Sequence, residues 1–335
     1  MDKNQVKKLV EVCGLPDSCK NAEIKETHIS WIILTDNYAF KIKRPVKYSF
    51  LDFSSLEQRK HFCYEELKLN RRIEPEMYVK VLPVTKNMSG EAESDDIIEY
   101  AVQMKRLDNE KEMFRMLEND QVNEKHIDKL SEKISGFHKN AQVIKNAFDT
   151  TGFHEKYADI SSQYDFIEEN FGKEKKDMVS KCVEKSYSYL NKKRAYFNER
   201  VISGYRKDVH GDLNASNIFL YDPPVIFDCI EFNKEYRHID ILNEMAFLSV
   251  DLDFFEKYKL AERLFERYCN DYGLGNPRDH IELFTYYKSY RANIRAKVSL
   301  INAQKTEGGK SREIEDAERY LDLMKSYCEE IETLQ

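Results

Sequence analysis

The chain has 335 residues, 34% charged and 41% apolar, with a net charge of −7. That length suits two lobes or domains, and the composition excludes a disordered chain. The acidic balance, with only short Lys/Arg clusters, excludes a broad nucleic-acid surface. Met1-Asp2-Lys3-Asn4-Gln5 lacks the apolar run of a signal peptide, and no stretch approaches the ~20 apolar residues of a membrane span. A cytoplasmic protein without nucleic-acid or membrane partners is expected. The seven cysteines (Cys13, Cys19, Cys63, Cys182, Cys229, Cys269, Cys328) are odd in number and widely spaced. Reduced thiols are expected, not a disulfide scaffold or a zinc site.

Residues 2–13 read as an amphipathic helix closed near Gly14 and Pro16. Glu23 to Leu34 reads as one or two strands, Thr35-Asp36-Asn37 as a turn, and Tyr38 to Ile42 as the returning strand. Alternation points Lys41 and Lys43 to one face and Phe40 and Ile42 to the other. Ser54 with Glu57 three residues on reads as a capping box, opening a helix to about Arg72. Val79–Val84 and Ile97–Met104 read as two more strands, with a polar turn over Lys86–Glu91 starting their connection. After Leu107 the pattern is helical: 110–118, 124–142, 160–172, 176–198, 240–254, 256–271, 278–304 and 310–334. The expected plan is α+β: a β-rich N-lobe over 1–106, a hinge near Gln103–Asp108, and a mainly helical C-lobe over 107–335.

The helical pattern is interrupted at 208–232, where the chemistry concentrates. Val209-His210-Gly211-Asp212 is followed by Asn217, and the apolar strand Val225-Ile226-Phe227 by Asp228. An Asp, an Asn five residues later and a second Asp at a strand end is the spacing of a phosphoryl-transfer site. Asp212 can take the proton of an attacking hydroxyl, while Asn217 and Asp228 offer oxygen ligands to Mg²⁺. Gly211 tolerates an unusual backbone, and His210 can hydrogen-bond the loop. A nucleotide site also needs a strand lysine and a helix glutamate. Lys41 and Glu66 meet that need in the right chain order, with Lys43 and Glu65 left as alternatives. No Gly-x-Gly-x-x-Gly precedes Lys41. Thr27, His28 and Ser30 stand where a phosphate-covering turn would lie, and Met104 falls at the hinge among the nucleotide-binding candidates.

Other residues read more plainly. His138 is a packed, hydrogen-bonded core histidine in the first instance, and Cys229 a small buried residue. Tyr287, Arg291 and Arg295 share one helix face. That face reads first as a packing stripe with snorkelling cations and second, with Glu231 and Arg237, as a substrate pocket.

His210-Gly211-Asp212-Leu213-x-x-x-Asn217-Ile218 followed by Asp228 resembles the motif of aminoglycoside phosphotransferases and related small-molecule kinases. Glu26–Ser30, Phe40–Val46, Phe50–Ser54 and Ile230–Asn233 with Arg237-x-Ile239-Asp240 resemble a bacterial subfamily of phosphotransferase-like proteins often fused to a P-loop ATPase domain. The resemblance covers about residues 20–330. It implies a protein-kinase-like bilobal fold with ATP (or GTP) and Mg²⁺ in the cleft. Asp212 would be the base, Asn217 and Asp228 the metal ligands, and Lys41 with Glu66 the phosphate-positioning pair. Asp240 and Glu244 match a stretch that braces the C-lobe. Asn214 stands where His is common, and Glu244 where Asp is usual. No P-loop motif occurs before Gln335, so the ATPase domain is expected to be absent, with a separate ATPase partner in its place. The expected activity is phosphoryl transfer to a hydroxyl of a small acceptor, such as an aminoglycoside, sugar or amino alcohol. The rivals are a nucleotide-binding pseudokinase that acts as an interaction module, and a protein kinase or self-phosphorylating enzyme.

Overall fold

A computed structural model describes residues 1–48, 50–86, 96–305 and 312–334. Helix α1 (Lys3–Glu11) starts at a capping box that the sequence reading passed over: Asp2 accepts from the Gln5 backbone, and the Gln5 side chain answers to Asp2. Glu23 to Leu34 forms two strands, β1 (Glu23–Glu26) and β2 (Ser30–Leu34), followed by β3 (Tyr38–Lys43). A two-strand ribbon, β4 (Lys47–Tyr48) and β5 (Leu51–Asp52), leads into helix α2 (Leu56–Asn70). The helix cap is Ser55, not Ser54, and accepts from Gln58 N at 3.2 Å. Ser54 is committed elsewhere, since its backbone N–H and hydroxyl both donate to Asp52. Strands β6 (Tyr78–Thr85) and β7 (Ile97–Lys105) complete an antiparallel sheet of order β1-β2-β3-β7-β6. Residues 87–91 of the expected connecting turn lie outside the described residues.

The period-2 pattern of β3 divides the sheet. Phe40 and Ile42 enter an apolar cluster with Val6, Leu9, Trp31 and Ile33, beneath α1. Burying a side chain like Phe40 contributes roughly 2–3 kcal/mol. Ala39 joins the opposite cluster, with Cys63 of α2, Tyr78, Val102 and Met104. Lys41 and Lys43 point to this second side, as alternation requires. The inward stripe of α2 is mostly polar: Arg59, Cys63, Glu66 and Asn70 are buried at spacings of four, three and four.

Beyond β7 come helices α3 (Met113–Glu118), α4 (Glu124–Asn140), α5 (Thr150–Ala158), α6 (Tyr164–Phe171), α7 (Lys173–Lys192) and α8 (Arg194–Ile202). Helix α5 was not anticipated. It starts where Asp149 accepts from Gly152 N at 2.9 Å. The expected helix over 176–198 is interrupted at Lys193, which leaves the helical backbone range. Short strands β8 (Arg206–Asp208), β9 (Ile218–Phe219), β10 (Val225–Ile226) and β11 (His238–Asp240) follow, then α9 (Ile241–Phe254), α10 (Tyr258–Tyr272), α11 (Ile281–Lys305) and α12 (Arg312–Leu334). Every residue of α9 is buried. No described helix is long and apolar enough to cross a membrane.

The chain forms two compact units, Met1–Arg115 with Ser216–Arg237, and Met116–Ala215 with His238–Gln335. The expected division at residue 106 left 216–237 with the helices. Residues 216–237 fall in the first unit, where they hydrogen-bond to the segments after α2 and β7. Leu220 N donates to Lys111 O at 2.7 Å, and Ile226 N to Glu74 Oε1 at 2.8 Å.

One expectation about sulfur is corrected. Cys13 and Cys19 form a disulfide with their Cα atoms 5.5 Å apart. The turn through Gly14-Leu15-Pro16 brings together two residues that sequence spacing leaves unconnected. The other five cysteines are buried and form no disulfide.

Within the same loop, Asp17 organises the β2–β3 turn. Its carboxylate accepts from Thr35 Oγ1 (2.5 Å), Asn37 N (2.7 Å), Asn37 Nδ2 (2.9 Å) and Tyr38 N (3.2 Å). Burial would raise its pKa, but the bonds from Thr35 and Asn37 hold it well below the ordinary carboxylate range. A depressed folded-state pKa gives stability that is present above about pH 4 and lost as pH falls through the folded value. Asp17→Ala is expected to lower the unfolding free energy by about 2 kcal/mol in urea melts at pH 7. The gap from the parent protein should narrow below about pH 4.

Candidate functional site

In the first unit, strand β3 aims two lysines at one helix carboxylate. Lys41 Nζ lies 3.0 Å from Glu66 Oε1 and 2.5 Å from Asp228 Oδ1. Lys43 Nζ lies 2.7 Å from Glu66 Oε2 and also donates to Glu231. Glu66 is therefore the helix partner and serves both lysines, while Glu65 pairs with the exposed Lys68. Burial opposes charge throughout this group. At Lys41 the nearby Asp228, Glu66 and Glu231 overturn that effect and push its pKa well above the ordinary lysine value. The same balance, with Glu231 first, raises Lys43. The two lysines overturn burial at Glu66 and hold it low. At Glu231 burial prevails and its pKa rises.

Asp228 sits in the left-handed region (φ 65) just past β10. Asp is one of the few L-residues that adopts this backbone without severe cost. The conformation is held by neighbours that sequence reasoning missed. Asp228 N donates to Tyr78 Oη at 3.0 Å, and Cys229 N donates to Asn70 Oδ1 at 2.9 Å. Neither Tyr78 nor Asn70 carries a local signal, since each reads as an ordinary strand or helix residue. Asn217 ends a 3₁₀ turn (Ala215–Asn217), and its carbonyl accepts from Phe227 N at 3.1 Å. This bond ties the strand before Asp228 back to Asn217.

The candidate phosphate turn is the connection between β1 and β2. Thr27 Oγ1 accepts from Ser30 N at 2.9 Å and donates to Ser30 O at 3.1 Å, so its hydroxyl closes the turn. Ser30 is buried, while His28 is exposed near the tip. Met104 is buried on β7 in register with Ala39 and Tyr78. Of the substrate candidates in this unit, Glu231 is buried against Lys43 instead of lining an open pocket, and Arg237 is buried too.

In the second unit, Asp212 follows Gly211, whose φ of 90 suits glycine. Asp212 N donates to His210 Nδ1 at 3.2 Å, so the histidine does bond the loop. The loop hangs from α9 at both ends. Glu244 accepts from His210 N (3.1 Å) and Gly211 N (2.5 Å), and Asp251 accepts from Ala215 N (2.8 Å). These acids are seven residues apart, two helical turns, so they share a face about 10 Å long. His138 is the packed, hydrogen-bonded residue expected, bridging Tyr268 Oη (2.6 Å) and Glu244 Oε2 (2.7 Å). Burial raises Glu244, but His138 reverses that and leaves its pKa lowered.

The residues of α11 proposed for substrate serve packing and bracing. Tyr287 is buried against Phe197 and Tyr286. Arg291 Nε donates to Asn243 Oδ1 at 2.7 Å, and Arg295 Nε lies 3.4 Å from Asp251 Oδ1. Asp240 caps α9 and receives two hydrogen bonds from Arg200.

No family model matches the chain. It is 29% identical over 308 residues to an uncharacterized protein of Mycobacterium tuberculosis, covering 89% of this chain and 58% of that protein. An uncharacterized protein of Mycobacterium bovis matches to the same extent. The chain thus spans 58% of the length of the curated relatives it matches. Among solved structures it is similar to an amicoumacin kinase bound to AMP-PNP and Ca²⁺ (TM-score 0.59, 11% identity, 97% of this chain and 94% of that one). It is similar to a GDP complex of an aminoglycoside 2′-phosphotransferase IIIa mutant (0.56, 12%, 99% and 98%). A choline/ethanolamine kinase family protein from Mesorhizobium loti also aligns (0.54, 13%, 98% and 94%). At these identities the likeness establishes the fold.

Removing one member of a buried ion group leaves a charge without a partner, at a cost of about 3–5 kcal/mol. Glu66→Ala should lose stability of that order in chemical denaturation. Glu65→Ala, which removes only a surface pair, should change it by less than about 0.5 kcal/mol.

Proposed function

We propose that this chain, which has the protein-kinase-like α+β fold of aminoglycoside phosphotransferases and choline/ethanolamine kinase family proteins, is an ATP- or GTP-dependent phosphotransferase. It would move the γ-phosphate to a hydroxyl of a small acceptor, of the aminoglycoside, sugar or amino-alcohol class. The observation that carries the reading is Lys41 held between Glu66 and Asp228. A strand lysine fixed by a helix glutamate beside a metal-ligating aspartate is the phosphate-positioning arrangement of kinases.

Asp228 and Asn217 offer oxygen donors only, the ligand chemistry that Mg²⁺ prefers. The Asp228 side chain is 39% exposed, so a carboxylate oxygen is accessible beside Lys41. When bound, the ion would neutralise charge on the nucleotide phosphates. Lys41 would contact the same phosphates and keep its charge at any physiological pH, because the carboxylates around it hold its pKa high. Asp212 would orient the acceptor hydroxyl and take its proton. The Glu244 and Asp251 bonds hold its loop so that little reorganisation is needed.

A second reading is a nucleotide-binding module without transfer. It is favoured by the β1–β2 turn, where the Thr27 hydroxyl is spent on the turn and Ser30 is buried. ADP release with MgATP, or GDP release with MgGTP, across panels of aminoglycosides, hexoses and amino alcohols, alongside nucleotide-induced thermal shifts, separates the two. Asp212→Ala is expected to cut turnover by about 10²–10⁴-fold while preserving the thermal shift, whereas Asp228→Ala should weaken the shift itself. Asp212→Ala turning over near the parent rate would refute the assignment, and a shift without turnover on any acceptor would favour the module.

A further inference from the structure

Phosphate positioning needs one lysine, and β3 supplies two. Lys43 is fully buried, and its ammonium is taken by Glu66 Oε2 and by Glu231. Two of its three N–H donors are thus directed at carboxylates, and it has no solvent-facing atom with which to reach a ligand. Its two carboxylates come from different places: Glu66 from the middle of α2, and Glu231 from the loop three residues beyond Asp228. The same loop is fastened to α2 a second time, where Cys229 N donates to Asn70 Oδ1.

Stability alone does not account for this arrangement. A buried ion group of this kind is often no more stable than apolar residues of the same volume, because desolvation offsets the attraction. What the lysine does supply is direction. With Oε2 of Glu66 held by Lys43, Oε1 is the oxygen left for Lys41. Without Lys43, both oxygens of Glu66 could turn to Lys41 and draw it away from Asp228. Without Glu231, the loop carrying Asp228 loses its ionic anchor to the sheet.

We propose that Lys43 and Glu231 are positioning residues for the nucleotide site, a buried clamp that joins β3, α2 and the Asp228 loop and sets the spacing between Lys41 and Asp228. The proposal rests on the phosphotransferase reading, and more narrowly on nucleotide binding at Lys41 and Asp228. Residues that orient metal ligands from behind typically change affinity or activity by about 10–100-fold when removed.

The test uses the full chain as parent, Lys43→Met, Glu231→Gln and the Lys43→Met/Glu231→Gln double variant. Each is measured for melting temperature and, by calorimetry, for MgATP and MgGTP dissociation constants. Each single variant leaves a buried charge short of a partner and should melt lower than the parent. The double variant removes both charges and should recover most of that loss. Nucleotide affinity should behave differently, staying at least about tenfold weaker in the double variant despite the recovered stability. Parent-like affinity in the double variant, or in a folded Glu231→Gln, would overturn the clamp while leaving the phosphotransferase reading intact. If the parent itself binds neither nucleotide, both the phosphotransferase reading and the clamp's role fall.

Discussion

A single buried carboxylate, Glu66, is the point on which the first unit depends. It faces two ammonium groups from one strand, and each of these reaches a second carboxylate, Asp228 or Glu231, on one loop. Three acids and two bases meet there, all buried except Asp228. No member can be neutralised or removed without stranding another, so the group behaves as a unit. This forces register on β3, since a slip of one residue would turn both lysines to the apolar side occupied by Phe40 and Ile42. It also forces the loop after β10 to stay with the sheet.

The second unit solves a similar problem with hydrogen bonds in place of ion pairs. Helix α9 is buried along its whole length, yet carries Glu244 and Asp251 on one face. Each acid has somewhere to put its charge because the loop around Asp212 turns backbone N–H groups toward it. Behind Glu244 stands His138, and behind Asp251 stands Arg295. The helix is therefore a rigid rail from which the loop is suspended. This explains why arginines on α11 that could suggest a substrate surface are found facing inward.

Much of this was legible in the chain. Strand alternation placed Lys41 and Lys43 together, Gly211 stood where an unusual backbone is tolerated and used, and the order of strands and helices matched the N-terminal sheet and the helical remainder. Where the reading slipped, a competing local interaction had won. Asp52 claimed Ser54 and moved the cap to Ser55. The turn after Gly14 joined Cys13 to Cys19. Glu231 reads from sequence as a substrate-pocket candidate because its partner lies 188 residues earlier in the chain.

The sequence by itself determined the kinds of groups available and their order: an Asp after a glycine turn, an Asn and an Asp at fixed spacing, and a lysine strand before a glutamate helix. Local periodicity and backbone preference act over a few residues, so these features survive reading one stretch at a time. Only the tertiary structure decided the pairings. It chose Glu66 over Glu65, gave Lys41 to Asp228 and Lys43 to Glu231, and set Tyr78 and Asn70 behind the Asp228 loop. Those choices depend on burial, which makes an unpartnered charge or N–H costly, and burial is a property of segments brought together from distant parts of the chain.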